Sequence, residues 1–180
     1  MRTKTIALAV LATLILAFVA TPPALAQKGS FELSLGAGLT TLDDKLGGDT
    51  GGSLDFRVGY FVTDRLEIEL QSAHASSILE GSFSAHTLNA AYHFEAEGDT
   101  VPYVLVGAGT ADVEEDTPLF VPSPEDEGTA LRAALGGRFE IGQTGGAFSR
   151  VEISALNEDS FDENATHIAI SVLFGWTFES

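Results

Sequence analysis

Four histidines offer the side chains best suited to proton or metal chemistry near neutral pH: His74, His86, His93 and His167. A hairpin centred near Glu80 would set His74 and His86 opposite each other at its loop end. Two imidazoles so placed suit a transition metal, but no third ligand accompanies them, so two interfacial histidines with no joint role are expected and no metal site. Ser84 lies near His86, yet no carboxylate is at hand to orient the imidazole as a hydrolytic triad requires. No catalytic residue is therefore expected. Carboxylates crowd two stretches, 111–128 and 157–164, and their oxygens suit Ca²⁺ or Mg²⁺. Their spacing matches no calcium loop, which leaves a solvated, repulsive surface. Gly36-x-Gly38 and Gly107-x-Gly109 lie inside apolar alternating segments. They read as room for bulky neighbours rather than as phosphate cradles, and no cofactor is expected.

The segments that must position these residues alternate with period two. Helical patterning is weak, and glycine recurs where it would harm a helix. Eight segments of about ten residues follow one another, the usual length of a membrane-crossing strand. They are 31–40, 54–62, 66–74, 83–94, 101–110, 129–141, 147–156 and 165–178. In the first, Phe31, Leu33, Leu35, Ala37 and Leu39 oppose Glu32, Ser34, Gly36, Gly38 and Thr40. In the fifth both faces are apolar or small, and its register stays open. The connections 41–51, 75–82, 111–128 and 157–164 are longer than 63–65, 95–100 and 142–146. Short turns on one side and long loops on the other is the layout of a transmembrane barrel, with both termini on the periplasmic side.

Alternation alone also fits a lipocalin-like soluble barrel with its apolar face inside. Three features turn the apolar face outward. The segments contain no lysine, whereas a soluble barrel clothes its exterior with charge. Tyr60, Tyr92, Phe94, Phe139, Trp176 and Phe178 gather toward the short-turn side, as an interfacial girdle does. The last segment is apolar and alternating, with Phe178 nearly final, resembling the C-terminal signal read by the barrel-assembly machinery.

This orientation sends both signs of charge into a narrow lumen: Glu32, Asp55, Arg57, Glu67, Glu69, Arg132, Arg138, Glu140, Arg150 and Glu152. Unpaired buried charge is costly, so these side chains are expected to pair and plug the barrel. The alternative is a small-solute or ion channel gated by the same salt bridges.

The first 26 residues read as a cleavable signal peptide. Arg2 and Lys4 precede an apolar run shorter than the ~20 residues of a helical span. Ala24-Leu25-Ala26 then offers a cleavage site between Ala26 and Gln27. Losing Arg2 and Lys4 from 9 basic residues leaves 7 against 26 acidic ones, a net charge of −19. That balance argues against nucleic acid as a partner. With no cysteine, disulfides contribute nothing.

Residues 27–180 resemble the OmpA/OmpX-like outer-membrane β-barrel family. The stretch Pro102-Tyr103-Val104-Leu105-Val106-Gly107-Ala108-Gly109 is similar to a Pro-Tyr-Val…Gly-x-Gly strand common in these barrels. The resemblance implies an all-β, eight-stranded antiparallel up-and-down barrel in the bacterial outer membrane. It implies a monomer among lipid and lipopolysaccharide, with a role in envelope integrity or surface interaction through acidic external loops. Lipid-modifying enzymes share this architecture. The deacylase pattern of a histidine followed two residues later by serine is missing, because Ile168 and Ala169 follow His167.

Overall fold

The computed structural model describes residues 28–41, 50–77, 81–96, 100–114, 125–141, 146–160 and 163–179. Its elements are β1 (Phe31–Thr41), β2 (Thr50–Phe61), β3 (Leu66–Ser77), β4 (Gly81–His93), β5 (Thr100–Glu114), β6 (Glu125–Glu140), β7 (Ala147–Ser160) and β8 (Glu163–Phe178). Each strand pairs antiparallel with its sequence neighbour, and β8 pairs with β1, from Phe31 opposite Phe178 to Thr41 opposite Ile168, so the sheet closes. The strands form because their side chains alternate between two surroundings. Leu35, Leu39, Leu54, Leu70, Val106, Leu131 and Leu135 are among the most exposed large side chains, whereas Glu32, Arg57, Glu69 and Arg150 are almost fully buried. Apolar groups line the outside, and the charged groups lie inside together with buried apolar ones such as Phe83, Leu105 and Leu173.

The register fixes how the strands tilt. From Trp176 the hydrogen-bonded row runs through Leu33, Val58, Leu70, Leu88, Ala108, Leu131 and Asn157, and returns to β8 at Thr166, a stagger of ten residues. With strands ~4.8 Å apart and tilted by ~40°, each step along this row climbs about 3 Å toward the outer end. The tilt brings aromatics from different rows to one level. Phe31, Tyr60 and Phe178 share a row, and Phe31 packs on Tyr60 at 4.8 Å between ring centres. Tyr92 and Phe94, 5.2 Å apart, and Phe139 sit on displaced rows that the tilt returns to the same height.

Three expectations change. The outer connections are not uniformly long: β3 runs to Ser77 before β4 starts at Gly81, and β7 runs to Ser160 before β8 starts at Glu163. The backbone ladder continues through polar residues above the apolar band, because strand hydrogen bonds do not require apolar side chains. The third hairpin is centred one residue earlier than Glu80, so His74 stands opposite Ser84 and His86 opposite Ser72. The two imidazoles are diagonal neighbours on the outer face. Finally, β5 takes a definite register, with Val101, Tyr103 and Leu105 buried inward and Val106 exposed outward.

Candidate functional site in the barrel lumen

Nine of the ten charged residues expected in the lumen are buried there, from β1 (Glu32), β2 (Asp55, Arg57), β3 (Glu67, Glu69), β6 (Arg132, Arg138) and β7 (Arg150, Glu152). Glu140, at the last position of β6, lies at the rim with its side chain 40% exposed, 3.8 Å from Arg138. The strand ends there, so no opposite wall covers it.

The charges form two linked tiers. Glu152 is the hub of the outer tier. Arg57 donates to both its oxygens at 2.9 and 3.0 Å, Tyr103 Oη donates at 2.9 Å, and Arg132 binds it through Nη2. Arg57 also donates to Asp55 at 2.8 Å. In the inner tier Arg150 donates to Glu67 at 2.7 Å and pairs with Glu32. Arg138 donates to Glu32 at 3.0 Å through Nε and to Thr177 at 2.9 Å. Glu69 joins the tiers, accepting from Arg150 at 2.8 Å and lying 3.5 Å from Arg57. Such bidentate, shared contacts satisfy most lone pairs and N–H groups, which is what makes buried charge tolerable.

Uncharged side chains complete the packing, and of these sequence reasoning named only His93, without a lumen role. Gln71 donates to Asp55 at 2.6 Å and accepts from Asn89 at 3.1 Å. His93 Nε2 lies 3.0 Å from Glu67 Oε2. The Arg138 and Arg150 guanidinium groups stack over Phe148, 4.7 and 5.2 Å from its ring centre. Glycine makes the space. A Cβ on Gly59 would overlap the Glu67 carboxylate, and one on Gly136 would lie 2.5 Å from Cζ of Tyr103. The mixed apolar faces of β5 concealed Tyr103; the available signal was the small residue Gly136, which faces it across the β5–β6 pairing.

Beyond the outer tier, toward the long-loop end, lies a cavity of about 40 Å³ bounded by Ser53, Phe83, Arg132, Ser154, His167 and Ser171. The His167 ring stacks on Phe83 at 4.6 Å. Among the described residues Arg132 Nη1 has no hydrogen-bond partner. The space admits a few water molecules rather than a solute. Among the described residues, no three His, Cys, Asp or Glu side chains are grouped to hold a metal ion.

The girdle candidates all face outward. Tyr60, Tyr92, Phe94, Trp176 and Phe178 are between 39% and 56% exposed, and Phe139 is partly exposed. Phe31, 51% exposed, stands among them. Ala26 and Gln27 lie outside the described residues.

A family model described as "Outer membrane protein beta-barrel domain" matches residues 10–178. No curated protein matches the chain. Among solved structures, Neisserial surface protein A superposes with a TM-score of 0.72 at 13% identity, covering 84% of this chain and 100% of that one. The outer membrane protein OprG of Pseudomonas aeruginosa gives 0.59 at 15% identity, over 86% of this chain and 98% of that one. Ail, the attachment invasion locus protein of Yersinia pestis, in complex with the heparin analogue sucrose octasulfate, gives 0.53 at 17% identity, over 84% and 100%. At these identities the likeness is one of fold.

Proposed function

Because this chain belongs to the outer membrane protein beta-barrel domain family, we propose that it works as a closed, non-enzymatic barrel serving envelope integrity or surface interaction. It is an eight-stranded barrel of the outer membrane. The observation that carries the proposal is the two-tier Arg–Glu network. The buried guanidinium and carboxylate groups reach across the lumen between the outer cavity and the periplasmic end. Eight strands enclose an interior that side chains can fill.

The charge of the outer end narrows the choice of partner. The outer ends of β5 and β6 and the segment joining them carry Glu114, Glu115, Asp116, Glu125 and Asp126, and Lys45 is the only basic residue in any outer connection. On the barrel, exposed Asp112 stands opposite exposed Glu127. Like charges placed so repel unless a cation intervenes. A polyanion of the kind bound by Ail is therefore a poor partner here, and a cationic or cation-bridged surface such as lipopolysaccharide is the better one. The mature protein is a monomer beginning at Gln27 after removal of a 26-residue signal peptide, delivered to the barrel-assembly machinery through β8.

Planar-bilayer recording tests the closed barrel. The wild-type chain is expected to show no unitary current. Stable unitary currents abolished by changing Arg132 or Arg138 would replace this reading with a salt-bridge-gated channel.

A further inference from the structure

The outer wall carries a depression unrelated to the lumen. It is a groove of about 530 Å³ crossing β2 to β5, walled by Phe56 and Leu88, floored by Ser72 and Ala108, and headed by His86 and Thr110. The register locates it in the membrane. Ser72, His86 and Thr110 are successive members of the row that begins at Phe174 and Leu35. His86 is four steps from Phe174, so it stands about 12 Å nearer the external surface, in the outer half of an apolar band ~25 Å tall.

Two properties separate this patch from ordinary lipid-facing wall. Small side chains, Ser72 and Ala108, lie between large ones, Phe56, Leu70 and Leu88, so a trough opens in the apolar wall. An unfilled trough forfeits dispersion contacts along its length. The head of the trough also presents an imidazole toward lipid. His86 is exposed and has no hydrogen-bond partner among the described residues, whereas His74 is satisfied by Ser84 at 3.0 Å. A polar ring left unpaired at this depth is costly, and the missing partner must come from outside the chain. No basic side chain lines the groove, so contact with a neutral oxygen fits better than a direct phosphate clamp.

We propose that the groove seats one acyl chain of an outer-leaflet lipopolysaccharide molecule, with His86 hydrogen-bonded to an ester or hydroxyl oxygen at the head of that chain. This rests on the outer-membrane location and on the long-loop end facing outward.

The test is photo-crosslinking on the full chain folded in nanodiscs that contain lipopolysaccharide and phospholipid together. A benzophenone side chain is introduced by Leu88→benzoylphenylalanine beside the groove, and by Ala37→benzoylphenylalanine at the same level on β1. Lipopolysaccharide adducts are expected about tenfold more often at position 88 than at position 37, the equivalent of roughly two methylenes of contact. Ala108→Phe fills the trough and His86→Leu removes the anchor, and each is expected to abolish that preference while the heat-dependent gel shift of the folded barrel persists. Equal yields at the two positions, insensitivity to Ala108→Phe, or a phospholipid adduct predominating at position 88 would overturn the proposal. Failure of the location itself reads differently: the chain would fractionate as soluble with no heat-dependent shift.

Discussion

Replacing Glu152 by glutamine removes the hub of the outer tier without changing its size. In the wild-type barrel this carboxylate accepts from Arg57, Arg132 and Tyr103. The amide keeps one acceptor and turns an NH2 toward guanidinium donors. Arg57 retains Asp55, but Arg132 has no other ion-pair partner among the described residues. Stranding one partner of a buried pair costs about 3–5 kcal/mol. That is roughly a third or more of the stability of an ordinary domain. Arg132→Met is the control. It takes away a donor and fills similar volume, while Glu152 keeps Arg57 and Tyr103; the loss of one charged hydrogen bond costs about 2 kcal/mol. Both variants are unfolded by urea in lipid vesicles and followed through the emission of Trp176, the single tryptophan. The expected order is wild type, then Arg132→Met, then Glu152→Gln, with parallel slopes. If Arg132→Met costs as much as Glu152→Gln, the hub assignment is wrong. If neither moves the midpoint, the network contributes nothing to stability.

Glu140→Gln, at the exposed rim, is expected to shift the same midpoint by no more than about 1 kcal/mol, as exposed pairs do. Gly136→Ala pushes a methyl group against Tyr103 and is expected to cost about 1–3 kcal/mol. Gly52→Ala, which meets nothing within 4 Å, should stay within about 0.5 kcal/mol in the same melt. Trp176 emission is expected to be quenched more by lipids brominated near the headgroup than by lipids brominated near the chain ends; the reverse order would take it out of the interfacial girdle. Intact mass of the outer-membrane protein should correspond to a chain starting at Gln27, and a mass retaining Met1 would exclude the cleavage site.

How much could be read in advance depended on contrast between the two faces of a strand. In β1, Leu33 and Leu35 alternate with Glu32 and Ser34, and a period-two pattern with such different side chains admits one orientation once the outside is lipid. In β5 the same logic had no purchase, because Val and Ala occur on both faces; only pairing with β4 and β6 turns Tyr103 inward. The β3–β4 hairpin slipped by one residue for a related reason. On the outer face above Leu70 and Leu88 the residues are Ser and His, and nothing in their burial preference fixes which of two neighbouring registers the ladder takes. The charged lumen residues were visible as types on a face, but their partners were not. Arg150 meets Glu32 across 118 residues and Arg57 meets Glu152 across 95. Such matches come from curvature, which one sequence does not display.

The seam between β1 and β8 has a consequence for how the protein comes into being. Phe31 lies opposite Phe178, so the first strand waits for the last before any stable object exists. Until then both edges hold unpaired backbone groups that would template association with any other strand. Contacts so distant along the chain make closure slow. Local hairpins cannot rescue the chain on the way, because the side chains that end outward are those that water rejects. Biogenesis is thus all-or-none: the polypeptide must be shielded in transit as an open chain, and it gains its stability in one step, when its two ends meet inside the bilayer.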